Sequence, residues 1–326
     1  IYTVRRATEG LCRYLNDDFD SPSCVIGYDS RINSERFAKE AACVLAAGGV
    51  KVWLFAELIP TPIVAYAVRE LKCSSGIIIT ASHNPSKYNG YKCYDERGYQ
   101  MTDDAAGKTL AYINKTDMFG DFGKIDFDTA VEKGLVEYVS ADVIDKYFGL
   151  VKTRLVDTEV SAKAGLSVIY TPLNGTGNKP VRRILDMIGI KDVTVVESQE
   201  LPDGNFPTCP FPNPEIRDAF NEALKTAENK KADLLLATDP DCDRVGIAVL
   251  DNGEYKLLTG NDVGCILIDY ILSRKKAAGT LAEKPVVIKS IVTSDMAAQI
   301  AESYGAEVVN VLTGFKYIGE YITQLE

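Results

Sequence analysis

Two short stretches of the chain carry residue types that could do chemistry together. In Asp239-Pro240-Asp241-Cys242-Asp243-Arg244, three carboxylates alternate with other residues. In extended backbone, positions i, i+2 and i+4 point the same way, so Asp239, Asp241 and Asp243 would converge on one point. Three like charges that close are unfavourable without a cation. All-oxygen ligation suits a hard ion such as Mg²⁺ or Mn²⁺. An acidic solvated turn is the plainer alternative. An EF-hand loop would need Gly at its sixth position and Glu at its twelfth, where Arg244 and Leu250 stand. Arg244, fork-shaped and permanently charged, would suit a phosphate beside such an ion.

The second stretch is Thr80-Ala81-Ser82-His83-Asn84-Pro85, followed by Asn89-Gly90-Tyr91-Lys92. The Ser82 hydroxyl, beside the only histidine of the chain, could accept a phosphoryl group. A nearby cation would stabilise its phosphate, while His83 or Lys92 could move a proton. Taken alone, Ser82-His83-Asn84 also fits a polar turn. A Ser-His-Asp hydrolase fits poorly, because the G-x-S-x-G elbow is absent. The two stretches complement each other. A cation held by three aspartates would neutralise a phosphoryl group passing to or from the serine.

The elements that must position these loops repeat along the chain. Short apolar strands are expected at 24–28, 50–55 and 76–80, with helices opened near Asn33 or Ser34 and after Pro60-Thr61-Pro62. A second copy has strands at 166–170, 193–196 and 233–238, with a further strand at 245–250. A third has strands at 285–289 and 307–312. Strands alternating with helices of this length imply an α/β fold of repeated three-layer domains with mixed, mostly parallel sheets. The expected divisions are 1–136, 137–252 and 253–326. The third domain would stop inside a helix starting near Phe315, expected to be the least ordered of the chain. In such sheets ligands bind beyond the carboxyl ends of strands, where both loops fall.

Composition narrows the partners. Hydrophobic residues at 46% and charged residues at 25% are globular usage, which excludes a disordered chain. A net charge of −10 argues against a nucleic-acid surface or a polybasic membrane anchor. No apolar run approaches the roughly 18 residues of a membrane span, and no secretory signal pattern opens the chain. A start at Ile1, mid-pattern in a helix, suggests an excised fragment. Eight cysteines without a C-x-x-C pair read as reduced thiols of a cytoplasmic protein. Scattered thiols and a single histidine argue against a zinc site.

Together the two loops resemble the phosphoserine and metal loops of the α-D-phosphohexomutase superfamily, in its phosphoglucomutase/phosphomannomutase branch. Gly27-Tyr28-Asp29-Ser30-Arg31, Asn174-Gly175-Thr176-Gly177 and Thr313-Gly314-Phe315-Lys316 are similar to further stretches of that branch. The resemblance implies a four-domain enzyme that interconverts sugar 1- and 6-phosphates through a phosphoserine and a sugar bisphosphate. It implies that Ser82 is the phosphoserine, with His83 beside it, and that Asp239, Asp241 and Asp243 hold Mg²⁺ with the serine phosphate as a further ligand. Lys92 and Arg244 would contact the reacting phosphate, and Lys289 and Lys316 would lie near the sugar. Glucose is the expected sugar and glucose 1,6-bisphosphate the expected activator; mannose and pentose phosphates are rivals. Glucosamine phosphate is disfavoured by Pro240, where that branch usually has Gly. A silent sugar-phosphate binder is the alternative from another class, and a phosphatase with an Asp nucleophile lacks its companion motifs. The resemblance covers part of domain 1, domain 2 and part of domain 3. The sugar-gripping third-domain loop and the fourth domain fall outside it, so the chain alone is expected to be inactive. A small-molecule sugar phosphate is the expected partner, with neither nucleic acid nor membrane.

Overall fold

The structure, a computed structural model, describes residues 1–120, 123–157 and 159–326. The first unit begins with α1 (Tyr2–Asp18), β1 (Ser23–Tyr28), α2 (Ser34–Ala47), β2 (Lys51–Leu54) and α3 (Thr61–Glu70). It continues through β3 (Ser75–Ile79), β4 (Lys92–Asp95), α4 (Asp103–Lys115), α5 (Phe127–Glu132), β5 (Val136–Tyr138) and α6 (Ala141–Thr153). Its sheet has the order β4-β3-β1-β2-β5, with only the β3–β4 pair antiparallel. The run Cys24-Val25-Ile26-Gly27-Tyr28 is apolar throughout because both faces are covered. Cys24, Ile26 and Tyr28 join the core under α1 and α2, while Val25 points to the core under α3 and α6. Gly48 and Gly49 end α2, and Gly49 takes φ +83°, the left-handed turn expected past a helix end.

The second unit repeats this plan. It contains α7 (Val160–Ala164), β6 (Ser167–Thr171), α8 (Asn178–Met187), β7 (Asp192–Val195), α9 (Glu197–Glu200), α10 (Asn221–Asn229), β8 (Leu234–Thr238), β9 (Val245–Asp251) and β10 (Glu254–Leu258). The order is β10-β9-β8-β6-β7, parallel across β8-β6-β7 and antiparallel beyond. Ile169, Leu235 and Ala237 face α10, whereas Val168, Leu234 and Leu236 face α8. The third unit has α11 (Gly260–Ala277), β11 (Val286–Ser290), α12 (Asp295–Ser303), β12 (Glu307–Val311) and α13 (Phe315–Leu325), with one parallel strand pair.

Three expectations shift. The division at 136/137 cuts β5, which pairs with β2 as the edge of the first sheet. Val143 and Tyr147 of α6 also pack into the first core, so that unit reaches past it. The division at 252/253 falls ahead of β10, which belongs to the second sheet. The segment after Phe315 is a helix seated on the first unit. Gly319 lies so close to Tyr99 that an added Cβ would sit 2.7 Å from its ring.

The repeat matters for the site. In each five-stranded sheet, a parallel strand (β3 or β8) turns through a polar loop into an antiparallel neighbour (β4 or β9). The loop after β3 carries Ser82 and the loop after β8 carries the three aspartates. The same topological position in two copies delivers the two halves of one site.

Candidate active site and metal centre

The Ser82 loop is held in an unusual conformation. Ser82 has φ +52°, in the left-handed region that a side chain rarely adopts. Its N–H donates to Thr80 Oγ1 at 2.9 Å, and the Asn84 N–H donates to the Ala81 carbonyl at 3.1 Å. The Thr80 N–H donates to the Gly90 carbonyl. Gly90 passes so close that a Cβ there would lie 2.4 Å from the Thr80 oxygen.

The aspartates converge, but by another route than extended backbone. The loop turns at Cys242, φ +53°, whose N–H donates to the Asp239 carbonyl at 2.9 Å. Asp239 Oδ1 then accepts the N–H groups of Asp243 (3.1 Å) and Arg244 (3.0 Å), folding the loop around its own first carboxylate. One oxygen from each of Asp239, Asp241 and Asp243 lies within 4.8 Å of the others. Asp239 and Asp241 are fully buried and Asp243 is exposed.

The two loops meet across the units. The Ser82 hydroxyl donates to Asp239 Oδ2 at 2.8 Å, and His83 Nδ1 lies 3.2 Å from the same hydroxyl oxygen. Lys92, at the start of β4, donates to Asp241 Oδ2 at 2.9 Å and stands 3.6 Å from Asp243. Thr61, first residue of α3, donates its N–H to the Asp241 carbonyl (2.9 Å) and its hydroxyl to Asp241 Oδ2 (3.1 Å).

The charges sort into roles. Burial and the neighbouring Asp241 and Asp243 push Asp239 well above the ordinary carboxylate range. Burial would also raise Asp241, but Lys92 and its hydrogen bonds hold it below. Burial and Asp241 raise Asp243. Burial would lower Lys92, yet Asp241 and Asp243 raise it above the ordinary lysine value. Lys92 is thus paired with two of the three clustered carboxylates. Burial and Arg244 lower His83 from the ordinary histidine value.

These residues fit a divalent cation. Asp241 Oδ1 is buried without any hydrogen-bond partner, and two more carboxylates stand beside it. An anionic oxygen in that state is costly unless a cation completes it. The donor set is all oxygen, the set preferred by hard ions.

The remaining expected residues are placed differently. Arg244 turns to the rim and pairs with Glu215 at 2.8 Å. Lys289 is buried in the third unit, donating to the Thr293 carbonyl at 3.0 Å with Asp295 at 3.8 Å. Lys316 pairs with Asp103 at 3.3 Å. Among the described residues, no hydrogen bond or ion pair of these two lysines reaches either loop. Sequence reasoning missed Thr61 and Arg31, whose importance lies in contacts with distant loops. Polar side chains directly after a buried strand, as in Asp29-Ser30-Arg31, were the available signal.

Family profiles described as phosphoglucomutase/phosphomannomutase alpha/beta/alpha domains I, II and III match residues 1–119, 145–253 and 259–326. The chain belongs to the phosphoglucomutase/phosphomannomutase family. A phosphoglucomutase of Staphylococcus saprophyticus subsp. saprophyticus is 37% identical over 322 residues, covering 98% of this chain and 57% of the relative. The chain thus spans little more than half the length of that relative. Among solved structures, a family protein from Burkholderia thailandensis shares the fold with TM-score 0.72 at 20% identity, over 99% of this chain and 64% of that one. An Aspergillus fumigatus N-acetylphosphoglucosamine mutase in complex with GlcNAc-6P and magnesium has TM-score 0.53 at 16% identity. That match covers 87% of this chain and 62% of that one.

Proposed function

We propose that the two loops form the phosphoryl-transfer site of a sugar-phosphate mutase acting on glucose 1-phosphate, with Ser82 as the phosphoryl carrier. The observation that carries this reading is the Ser82 hydroxyl hydrogen-bonded at 2.8 Å to the buried aspartate cluster of a different unit. Glucose follows the name of the Staphylococcus phosphoglucomutase; mannose 1-phosphate is the second reading, since a Haemophilus influenzae relative 38% identical over 322 residues bears the name probable phosphomannomutase.

In the forward half-reaction, the 6-hydroxyl oxygen of glucose 1-phosphate attacks the phosphorus of phosphorylated Ser82. The new O–P bond forms as the P–Oγ bond breaks, and the bonding pair stays on Oγ. The proton leaving the sugar hydroxyl ends on Oγ, and the His83 ring, its Nδ1 3.2 Å from Oγ, is placed to carry it. Lys92, 2.9 Å from Asp241 and 3.6 Å from Asp243, brings its ammonium to the loop where the phosphoryl group transfers. Mg²⁺ held by Asp239, Asp241 and Asp243, as magnesium accompanies the Aspergillus relative, would supply further positive charge to the phosphoryl oxygens. The bisphosphate then presents its 1-phosphate to Ser82, and reversal of the step yields glucose 6-phosphate. Thr61 keeps Asp241 aimed throughout. We assign the half-reaction at Ser82 to this chain, and the complete isomerisation to a protein that also carries the lengths of the relatives not covered here. Eight free thiols among the described residues support a reducing, cytoplasmic setting. No described helix is long and apolar enough to cross a membrane.

The test is incubation with glucose 1,6-bisphosphate and Mg²⁺, followed by intact mass. Wild type should gain one phosphoryl group, and Ser82→Ala should gain none while keeping its far-UV spectrum. An unmodified wild type, or modification that survives Ser82→Ala, contradicts the reading.

A further inference from the structure

Arg31 lies two residues beyond the tip of the Asp29 turn, and its side chain is wholly enclosed. A guanidinium has five N–H donors in a fixed planar fork. Here the four Nη donors all reach protein oxygens, and the Nε, buried beside Asp29, makes an ion pair without a hydrogen bond among the described residues. Nη1 donates to the carbonyls of Pro85 and Tyr88, both at 3.0 Å. Nη2 donates to the carbonyl of Ser82 at 2.7 Å and to that of Asn84. Nε lies 3.2 Å from Asp29 Oδ2. Asp29 in turn is fixed through Oδ1, which accepts the Arg31 N–H (2.9 Å) and the Ser34 hydroxyl (2.7 Å).

This accounting decides what Arg31 can do. The four Nη donors are taken and the Nε is enclosed with the rest of the side chain, so none faces an incoming phosphate and Arg31 does not grip substrate. It gathers four carbonyls of the 82–88 segment around one point instead, including the carbonyl of the strained serine. The second unit closes the arrangement from the other side. The Phe206 ring, fully buried, stacks under the Arg31 guanidinium with 5.0 Å from its carbon to the ring centroid. Gly204 abuts the Arg31 backbone so tightly that an added Cβ would lie 2.5 Å from Ile32 N and 2.8 Å from the Ser30 oxygen.

We propose that Arg31 is the positioning residue of Ser82, holding the loop in its left-handed conformation and tying that conformation to the docked second unit through Phe206. The assignment rests on the phosphoryl-transfer reading above. The cost of a strained residue persists only where its surroundings over-determine it, and here the four-carbonyl clasp does so. A lysine in place of Arg31 keeps the charge. Its three donors on a flexible stem cannot span four carbonyls, so the loop relaxes.

The experiment follows Ser82 phosphorylation by glucose 1,6-bisphosphate in the 326-residue chain, alongside Mg²⁺ affinity by calorimetry. Arg31→Lys should slow phosphorylation by about 100-fold, the penalty of a misplaced reacting atom. Mg²⁺ affinity, set by the aspartates, should stay within about threefold. Phe206→Leu removes the stack but keeps an apolar filler, and should slow phosphorylation by about tenfold. It also serves if Arg31→Lys fails to fold. Hydrogen exchange at residues 82–88 should quicken in both variants. Wild-type phosphorylation rates in the folded variants overturn the assignment and leave the mutase reading standing. A wild type that is never phosphorylated overturns both.

Discussion

The seam between the first two units and the interior of the third make an instructive pair. At the seam, charged groups are buried and specifically held. Asp241 accepts from Lys92 and Thr61 of the other unit, Asp239 accepts from Ser82, and Arg31 stacks on Phe206. In the third unit a two-stranded sheet packs on α11 and α12, and Ile266, Leu267, Ile291, Val292 and Met296 are all exposed. Its buried lysine, Lys289, is satisfied within its own loop. Polar groups are enclosed at the seam at a desolvation cost that folding alone does not require. The third unit's Lys316 reaches Asp103 of the first unit, but its buried Lys289 is held by local contacts. Enclosed charge with partners on another unit is the mark of the seam.

The widest gap between the two regions is expected from Asp241→Ala. It removes the carboxylate with the unpartnered oxygen and strands Lys92. Mg²⁺ affinity measured by calorimetry should fall by more than about 100-fold, as expected when one of three charged ligands is lost. Retained affinity would mean that the cation sits elsewhere. Next in size is Lys92→Met, which removes the ammonium paired with Asp241 and Asp243 beside Ser82. Ser82 phosphorylation should slow by about 100- to 1,000-fold, the scale of losing one preorganised charge-stabilising donor. A change under about threefold would remove Lys92 from the chemistry. Smaller is Thr61→Val, which deletes the hydroxyl on Asp241 and keeps the shape; one hydrogen bond to a carboxylate is worth about tenfold in Mg²⁺ affinity. The smallest effect on the site should come from Leu272→Ala in the third core. That cavity should cost about 2–5 kcal/mol of local stability by denaturant unfolding, with Mg²⁺ affinity unmoved. A loss of Mg²⁺ affinity there would show the two regions to be coupled, against the contrast drawn above.

The contrast also explains what the sequence could and could not reveal. The strands of both complete sheets were legible because each is an apolar run closed by Gly, Pro or polar residues, as in Ser75–Ile79. The edges were not. Val136-Glu137-Tyr138 is too short to announce a strand, and only its partner β2 makes it one. The aspartates were legible through their mutual repulsion, yet the route to convergence was misread. Nothing in a cysteine signals the left-handed turn that Cys242 makes, just as nothing in Ser82 signals its own. Thr61 and Arg31 escaped because their partners lie far along the chain. Lys289 came from the family resemblance alone, and nothing in the sequence around it signals that its ammonium donates to the Thr293 carbonyl.

The central claim is that Ser82 and the three aspartates form one site built by two units. If so, a phosphate on Ser82 adds oxygens to the same cation, and the two binding events must be thermodynamically coupled. The direct measurement is Mg²⁺ titration by calorimetry of the chain before and after phosphorylation of Ser82. The account predicts that the phosphorylated form binds Mg²⁺ at least about tenfold more tightly. Equal affinities in the two forms would contradict it, because the serine and the carboxylates would then belong to separate sites.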